Sequence, residues 1–167
     1  MDRLITDTLQ LSRIGRVVNP PKEVPFGALV QEAQEQIKSG GVEVTVADDF
    51  PSVCVDRMRI VEVLVNLITN SIKYMGEQRQ PKIDMGYRVD GKTPVFFVQD
   101  NGMGIDKSQH ETVFELFHKV DSSSNGTGAG LAIVKRIIEV HKGRIWIESE
   151  EGKGCTVCFT LPLSPVS

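Results

Sequence analysis

The sequence predicts an α/β sandwich on a mixed sheet, and three observations carry that expectation. Five short runs read as strands, at residues 42–46, 82–89, 95–100, 144–149 and 155–161, with apolar and polar residues alternating in the first and the last. A helical period governs three longer runs, at 25–37, 56–75 and 131–140. Some strands are hairpin neighbours while others are separated by a helix, the mark of a sheet with helices packed on it.

The elements follow in order. Leu4, Leu11 and Val18 recur every seven residues with Ile14 between them. This narrow seam suits packing on a partner helix and reads as the end of a longer helix. Asn19-Pro20-Pro21 stops it, because proline lacks a donor and restricts its predecessor. Phe26, Leu29, Val30, Ala33 and Ile37 share a face of the next helix, which Gly40-Gly41 ends. Val42 to Val46 alternates as a strand. Asp56 is placed to cap a long helix running to about Met75. Lys82 to Val89 and Val95 to Asp100 pair across Asp90-Gly91-Lys92. Residues 105–124 read as irregular, with a helical turn near Val113 to Phe117. A glycine loop, Gly126 to Gly130, opens the helix Leu131 to Val140, and Arg144 to Ser149 and Cys155 to Leu161 close the sheet.

Composition narrows the function. The chain has 167 residues, 40% hydrophobic and 25% charged, which fits one globular domain with a short appended element. We divide it into residues 1–21, the helix end and linker, and residues 22–167, the domain. With 19 basic against 22 acidic residues, the chain lacks the basic excess that nucleic-acid binding needs. No stretch approaches the ~20 apolar residues of a membrane span, so no membrane contact is expected of this segment. No signal peptide opens the sequence. Cys54, Cys155 and Cys158 are too few and too odd for a disulfide framework. Cys155 and Cys158 have a metal-like spacing, but residues three apart on a strand face opposite ways. A reducing, cytoplasmic setting is expected.

Three elements carry chemistry. Glu62, Asn66, Asn70 and Lys73 interrupt an otherwise apolar helix and, at ~100° per residue, fall within roughly 80° of one another. Amide oxygens suit a hard cation such as Mg²⁺ and a lysine suits a phosphate oxygen; a solvated helix face explains the same stripe. Asp100 ends the apolar strand Val95-Phe96-Phe97-Val98, where a carboxylate can accept from an exocyclic amine such as that of adenine. Gly102 and Gly104 let backbone approach a flat ligand, although Asp-Asn-Gly is also ordinary turn chemistry. Gly126-Thr127-Gly128-Ala129-Gly130 places free amides at a helix start, which attracts phosphate. This is neither a P-loop nor a dinucleotide fingerprint.

Taken in order, these elements resemble the boxes of the sensor histidine kinase ATP-binding domain, whose fold is shared by gyrase-type topoisomerases, Hsp90-type chaperones and MutL-type repair ATPases. Asn66-Leu67-Ile68-Thr69-Asn70-Ser71-Ile72-Lys73-Tyr74 resembles the N box, Asp100 to Ile105 the G1 box, Val113 to Phe117 the F box and Gly126 to Val134 the G2 box. The tail from His141 to Thr156 is similar as well, so the resemblance covers about residues 25–163. It implies a two-layer, Bergerat-type sandwich of about five strands with about three helices on one face. It implies ATP and Mg²⁺ as ligands, with Asn70 coordinating Mg²⁺, Asn66 assisting, Lys73 on phosphate and Tyr74 lining the nucleotide. Asp100 would bind the adenine amine, helped by Thr156, in a pocket shaped by Gly102 and Gly104 with Ile105 alongside. Lys119 and the amides of Gly126, Thr127, Gly128, Ala129 and Gly130, with Leu131 behind them, would form a lid over the phosphates. The implied partners are the dimerisation and phosphoacceptor domain of the same protein and a response regulator receiver domain.

Two departures accompany the resemblance. No phosphoacceptor histidine is present: His110, His118 and His141 lie in the wrong places and read as surface or structural residues. Ala129 stands where a larger apolar residue is common. The expected activity is therefore transfer of the ATP γ-phosphoryl group to a histidine outside this sequence. The alternatives are an ATP-hydrolysing clamp of the chaperone or topoisomerase kind and a non-catalytic ATP-sensing module. The clamp needs a glutamate base one turn before the Mg²⁺-binding asparagine, where this sequence has Asn66. A one-turn shift would instead put Glu62 before Asn66.

Overall fold

The computed structural model describes residues 20–37, 41–73, 75, 79–102, 130–149 and 154–163. The helical seam at 1–18 and the turn at 113–117 lie outside these residues. The described elements are β1 (Lys22–Pro25), α1 (Phe26–Glu35), β2 (Glu43–Val46), β3 (Ser52–Val55), α2 (Arg57–Lys73), β4 (Lys82–Asp90), β5 (Thr93–Asp100), α3 (Gly130–Val140), β6 (Ile145–Ser149) and β7 (Cys155–Phe159).

Five strands form a mixed sheet in the order β2-β4-β5-β7-β6. β2 runs parallel to β4, and the other neighbours are antiparallel. β4 and β5 form the expected hairpin, turning at Gly91, whose φ of 64° suits a residue without Cβ. The side chains of Ile83, Met85, Phe96, Val98, Ile147, Val157 and Phe159 share one face of this sheet. They form a single core with Leu29 and Val30 of α1, Ile60, Leu64 and Leu67 of α2, and Val134, Ile137 and Ile138 of α3. The three helices therefore cover one face, as the sandwich expectation has it. At the centre, Phe26 stacks on Phe96 with ring centroids 4.1 Å apart. Burying each such side chain contributes about 1.5–3 kcal/mol.

β1 and β3 pair antiparallel as a separate two-stranded sheet that the sequence pattern did not predict. Each has four residues, too few to display a period, and β1 ends in Pro25, which doubles as the residue before α1.

Two helix ends are fixed by local chemistry. Asp56 caps α2 as expected: Met58 N–H donates to its Oδ1 at 3.2 Å and Ile60 N–H to its carbonyl at 3.1 Å. At the end of α3, Gly143 N–H donates to the Ile138 carbonyl and Lys142 N–H to that of Glu139. This is a Schellman closure in which Lys142 takes the left-handed conformation (φ 63°) that glycine usually fills. His141 joins the two ends. Its Nε2 accepts from Asp56 N–H at 3.1 Å, and its Nδ1 lies 2.8 Å from the Ile137 carbonyl. An Nε2 that accepts and an Nδ1 that donates define a neutral imidazole. His141 is buried and is the structural histidine the sequence suggested.

Candidate active site

Alternation along β5 builds the site. Phe96 and Val98 point into the core, so Asp100, two residues on, points to the same face. It sits at the strand end, where the core runs out, and its carboxylate is half-buried. Three donors from three parts of the chain hold it. Gly102 N–H donates to Oδ1 at 2.9 Å. The Ser71 hydroxyl reaches it from α2, and the Cys155 backbone N–H reaches it from β7. Burial pushes the Asp100 pKa above the usual carboxylate range, while these donors pull the other way without cancelling it.

Close backbone packing sets the approach of β7. Gly154 has φ +92°, and a Cβ there would lie 2.1 Å from the Asp100 carbonyl oxygen. Only glycine allows the two chains to run this close. Cys155, the next residue, pairs with Asp100 across the sheet.

The polar stripe runs along α2, the helix that supplies Ser71 to this carboxylate. Asn70 immediately precedes Ser71 and is half-buried; Asn66 is half-buried one turn earlier, and Lys73 is exposed one turn later. Asn66 Nδ2 donates to the Glu62 carbonyl at 2.9 Å, so the atom Asn66 offers to a cation is its amide oxygen. Glu62 is paired with Arg59 at 3.0 Å. The structure thus brings Ser71, Asp100, Gly102 and Cys155 together, while Asn66, Asn70 and Lys73 lie on the same helix as Ser71.

Thr156 is a correction. It pairs with Gln99 and Glu148, so its side chain points to the face of the sheet away from Asp100. Cys155, one residue earlier, occupies the position on the Asp100 side. By the same alternation Cys155 and Cys158 face opposite ways, as the sequence reading required. Cys155 belongs to the core, whereas Cys158 lies near the Arg88–Glu148 pair on the outer face, where burial pushes its thiol up to about 12. Ser71 was also missed. It sits at a buried position of an apolar helix face, and a hydroxyl there needs a partner; that need was the available signal.

Tyr74, Gly104, Ile105, Lys119, Gly126, Thr127, Gly128 and Ala129 lie outside the described residues. Gly130 opens α3, and Leu131 packs at the margin of the core. A groove lined by Gln34, Ile37, Val42, Val44 and Ile68 contains none of the site residues. Among the described residues, no helix is long and apolar enough to cross a membrane.

Residues 55–165 match the family described as "Histidine kinase-, DNA gyrase B-, and HSP90-like ATPase". The methanogenesis regulatory histidine kinase FilI of Methanothrix harundinacea (strain 6Ac) is 58% identical over 166 residues, covering 97% of this chain and 19% of that protein. Full-length ShkA in complex with AMPPNP superposes with a TM-score of 0.77 at 25% identity, over 97% of this chain and 35% of that one. Histidine kinase ThkA in complex with the response regulator protein TrrA gives a TM-score of 0.68 at 27% identity, over 87% of this chain and 42% of that one. The chain belongs to the histidine kinase-, DNA gyrase B- and HSP90-like ATPase family, as a catalytic domain of the sensor histidine kinase kind.

Proposed function

We propose that this chain binds ATP with Mg²⁺ and transfers the γ-phosphoryl group to a histidine imidazole on a dimerisation and phosphoacceptor domain of its own protein, from which a response regulator receiver domain then takes it. The observation that carries the reading is the Asp100 carboxylate. It is half-buried and held by three donors, one of them the hydroxyl of Ser71, the residue that follows Asn70 on the polar-striped helix.

The residues divide the work by chemistry. Asp100 has lone pairs left after its donors, and these accept from the adenine amine. Asn70 and Asn66 present amide oxygens, which fit a hard cation. Lys73 extends from the next turn toward phosphate oxygens. Lys119 and the amides of Gly126 to Gly130, with Leu131 behind them, close over the phosphates; Tyr74, Gly104 and Ile105 line the nucleotide. Mg²⁺, when bound, supplies neutralisation of phosphate charge. Little covalent chemistry is then asked of the protein: it positions the phosphoryl group and stabilises charge, and the imidazole is the nucleophile. A hydrolytic clamp would need a base one turn before Asn70. That place holds Asn66, and Glu62 one turn further back is engaged by Arg59.

The test is phosphotransfer in two parts. The chain alone, given γ-labelled ATP and Mg²⁺, is expected to take up no acid-labile label, because none of its histidines is a phosphoacceptor. Adding a phosphoacceptor domain carrying its histidine is expected to give acid-labile label on that domain. Steady release of inorganic phosphate with no protein substrate present would favour the clamp and contradict the proposal.

A further inference from the structure

Asn101 makes three hydrogen bonds that no role so far described requires. Its N–H donates to the Lys82 carbonyl at 3.2 Å, continuing the β4–β5 ladder one residue past the Ile83–Asp100 pair. In a regular ladder the Lys82 N–H would then bond to the Asn101 carbonyl. It donates instead to Asn101 Oδ1, at 2.8 Å. The other side-chain atom, Nδ2, donates to the Gln80 carbonyl at 2.8 Å.

The side chain thus stands in for its own main-chain carbonyl. The ladder closes, yet the backbone after Asn101 is released from it and can turn at once. In that turn Gly102 N–H folds back onto Asp100 Oδ1. The Gln80 bond ties the same turn to the connection that leads from α2 into β4. Asn101 is exposed, so water competes for these bonds; their value lies in fixing a conformation that short polar side chains otherwise vary.

We infer that Asn101 is a positioning residue for the adenine-reading carboxylate, its primary amide locking the turn through which Gly102 holds Asp100. This rests on the proposed reading of Asp100. The residue type follows from the geometry. Aspartate keeps the acceptor for Lys82 but loses the donor and sets an anionic oxygen against the Gln80 carbonyl. Alanine keeps neither, and glutamine is one methylene too long.

The experiment compares two ligands on one protein. ATP and purine riboside triphosphate, which carries hydrogen in place of the 6-amino group, are titrated into the whole chain with Mg²⁺. The wild type is expected to prefer ATP by about tenfold, the usual worth of one good hydrogen bond to a charged group. In Asn101→Ala the ATP affinity falls and the analogue's barely moves, so the preference drops to about two- or threefold. Both ligands report on the same folded fraction, so partial unfolding leaves the ratio unchanged. Asn101→Asp carries the test if the alanine variant does not fold, and it too is expected to lower the ratio. A variant that binds both ligands more weakly but keeps the wild-type preference would make Asn101 merely structural and overturn the inference. A wild type with no preference would sink the Asp100 reading itself, and the inference with it.

Discussion

At the scale of single residues, the way one carboxylate is held matters most. Burial raises the Asp100 pKa, and the donors from Gly102, Ser71 and Cys155 oppose that rise. For folding, a raised pKa means the native state holds the proton more strongly, so this group favours the fold as pH falls through its native pKa. For nucleotide binding the sign reverses, because the ionised carboxylate is the better acceptor for an amine. ATP affinity should therefore weaken on acidification at a higher pH than an ordinary aspartate would dictate. Ser71→Ala removes one opposing donor. It is expected to move that loss to still higher pH and to cost about 1–2 kcal/mol of ATP affinity near neutrality. Titrations of ATP binding across pH, wild type beside variant, check this; superimposed profiles would mean Ser71 does not act on the carboxylate. Ser71 and Cys155 show the limit of reading at this scale. Asp100 declares itself by ending an apolar strand. Which side chain stands opposite it depends on strand register, and a one-residue slip flips every side chain to the other face. That slip is the whole difference between Thr156 and Cys155.

At the scale of elements, period and length decide what a sequence shows. α2 is legible because its 17 residues repeat an apolar face several times and Asp56 marks its start. The β4–β5 hairpin is legible because alternation meets a glycine turn. β1 and β3 are not, because four residues cannot establish a period and their pairing is known only once the chain has folded. The tie between α3 and α2 is likewise non-local. His141 and Asp56 are 85 residues apart, and only the fold reveals that a buried imidazole caps the chain entering α2. Replacing it tests whether that tie is structural. His141→Ala takes from the Asp56 N–H its imidazole acceptor and opens space at the helix junction, at an expected cost of about 1–3 kcal/mol. The melting temperature should fall while ATP affinity, measured well below it, stays at the wild-type value. Lost affinity with unchanged melting would place His141 in the site instead.

At the scale of the whole molecule, the proposed site lies at one end of a sheet covered by helices on one face. β5 ends there, β7 begins there, and the last turns of α2 run past both. Four boxes in the right order made this arrangement legible as a family before any coordinates. No single box would have done so, since each has an ordinary reading as a turn, a solvated face or a glycine loop. The net charge of −3 opposes a triphosphate at long range. On the proposed reading, affinity comes instead from local groups, the adenine acceptor Asp100 and the amides and lysine of α2. Calorimetric titration of ATP into the wild type, Asp100→Asn and Asn70→Ala, each with and without Mg²⁺, separates these contributions. Asp100→Asn is expected to lose at least about tenfold in affinity whether or not Mg²⁺ is present, whereas Asn70→Ala loses chiefly the Mg²⁺-dependent part. Asp100→Asn binding ATP as tightly as the wild type would contradict that reading.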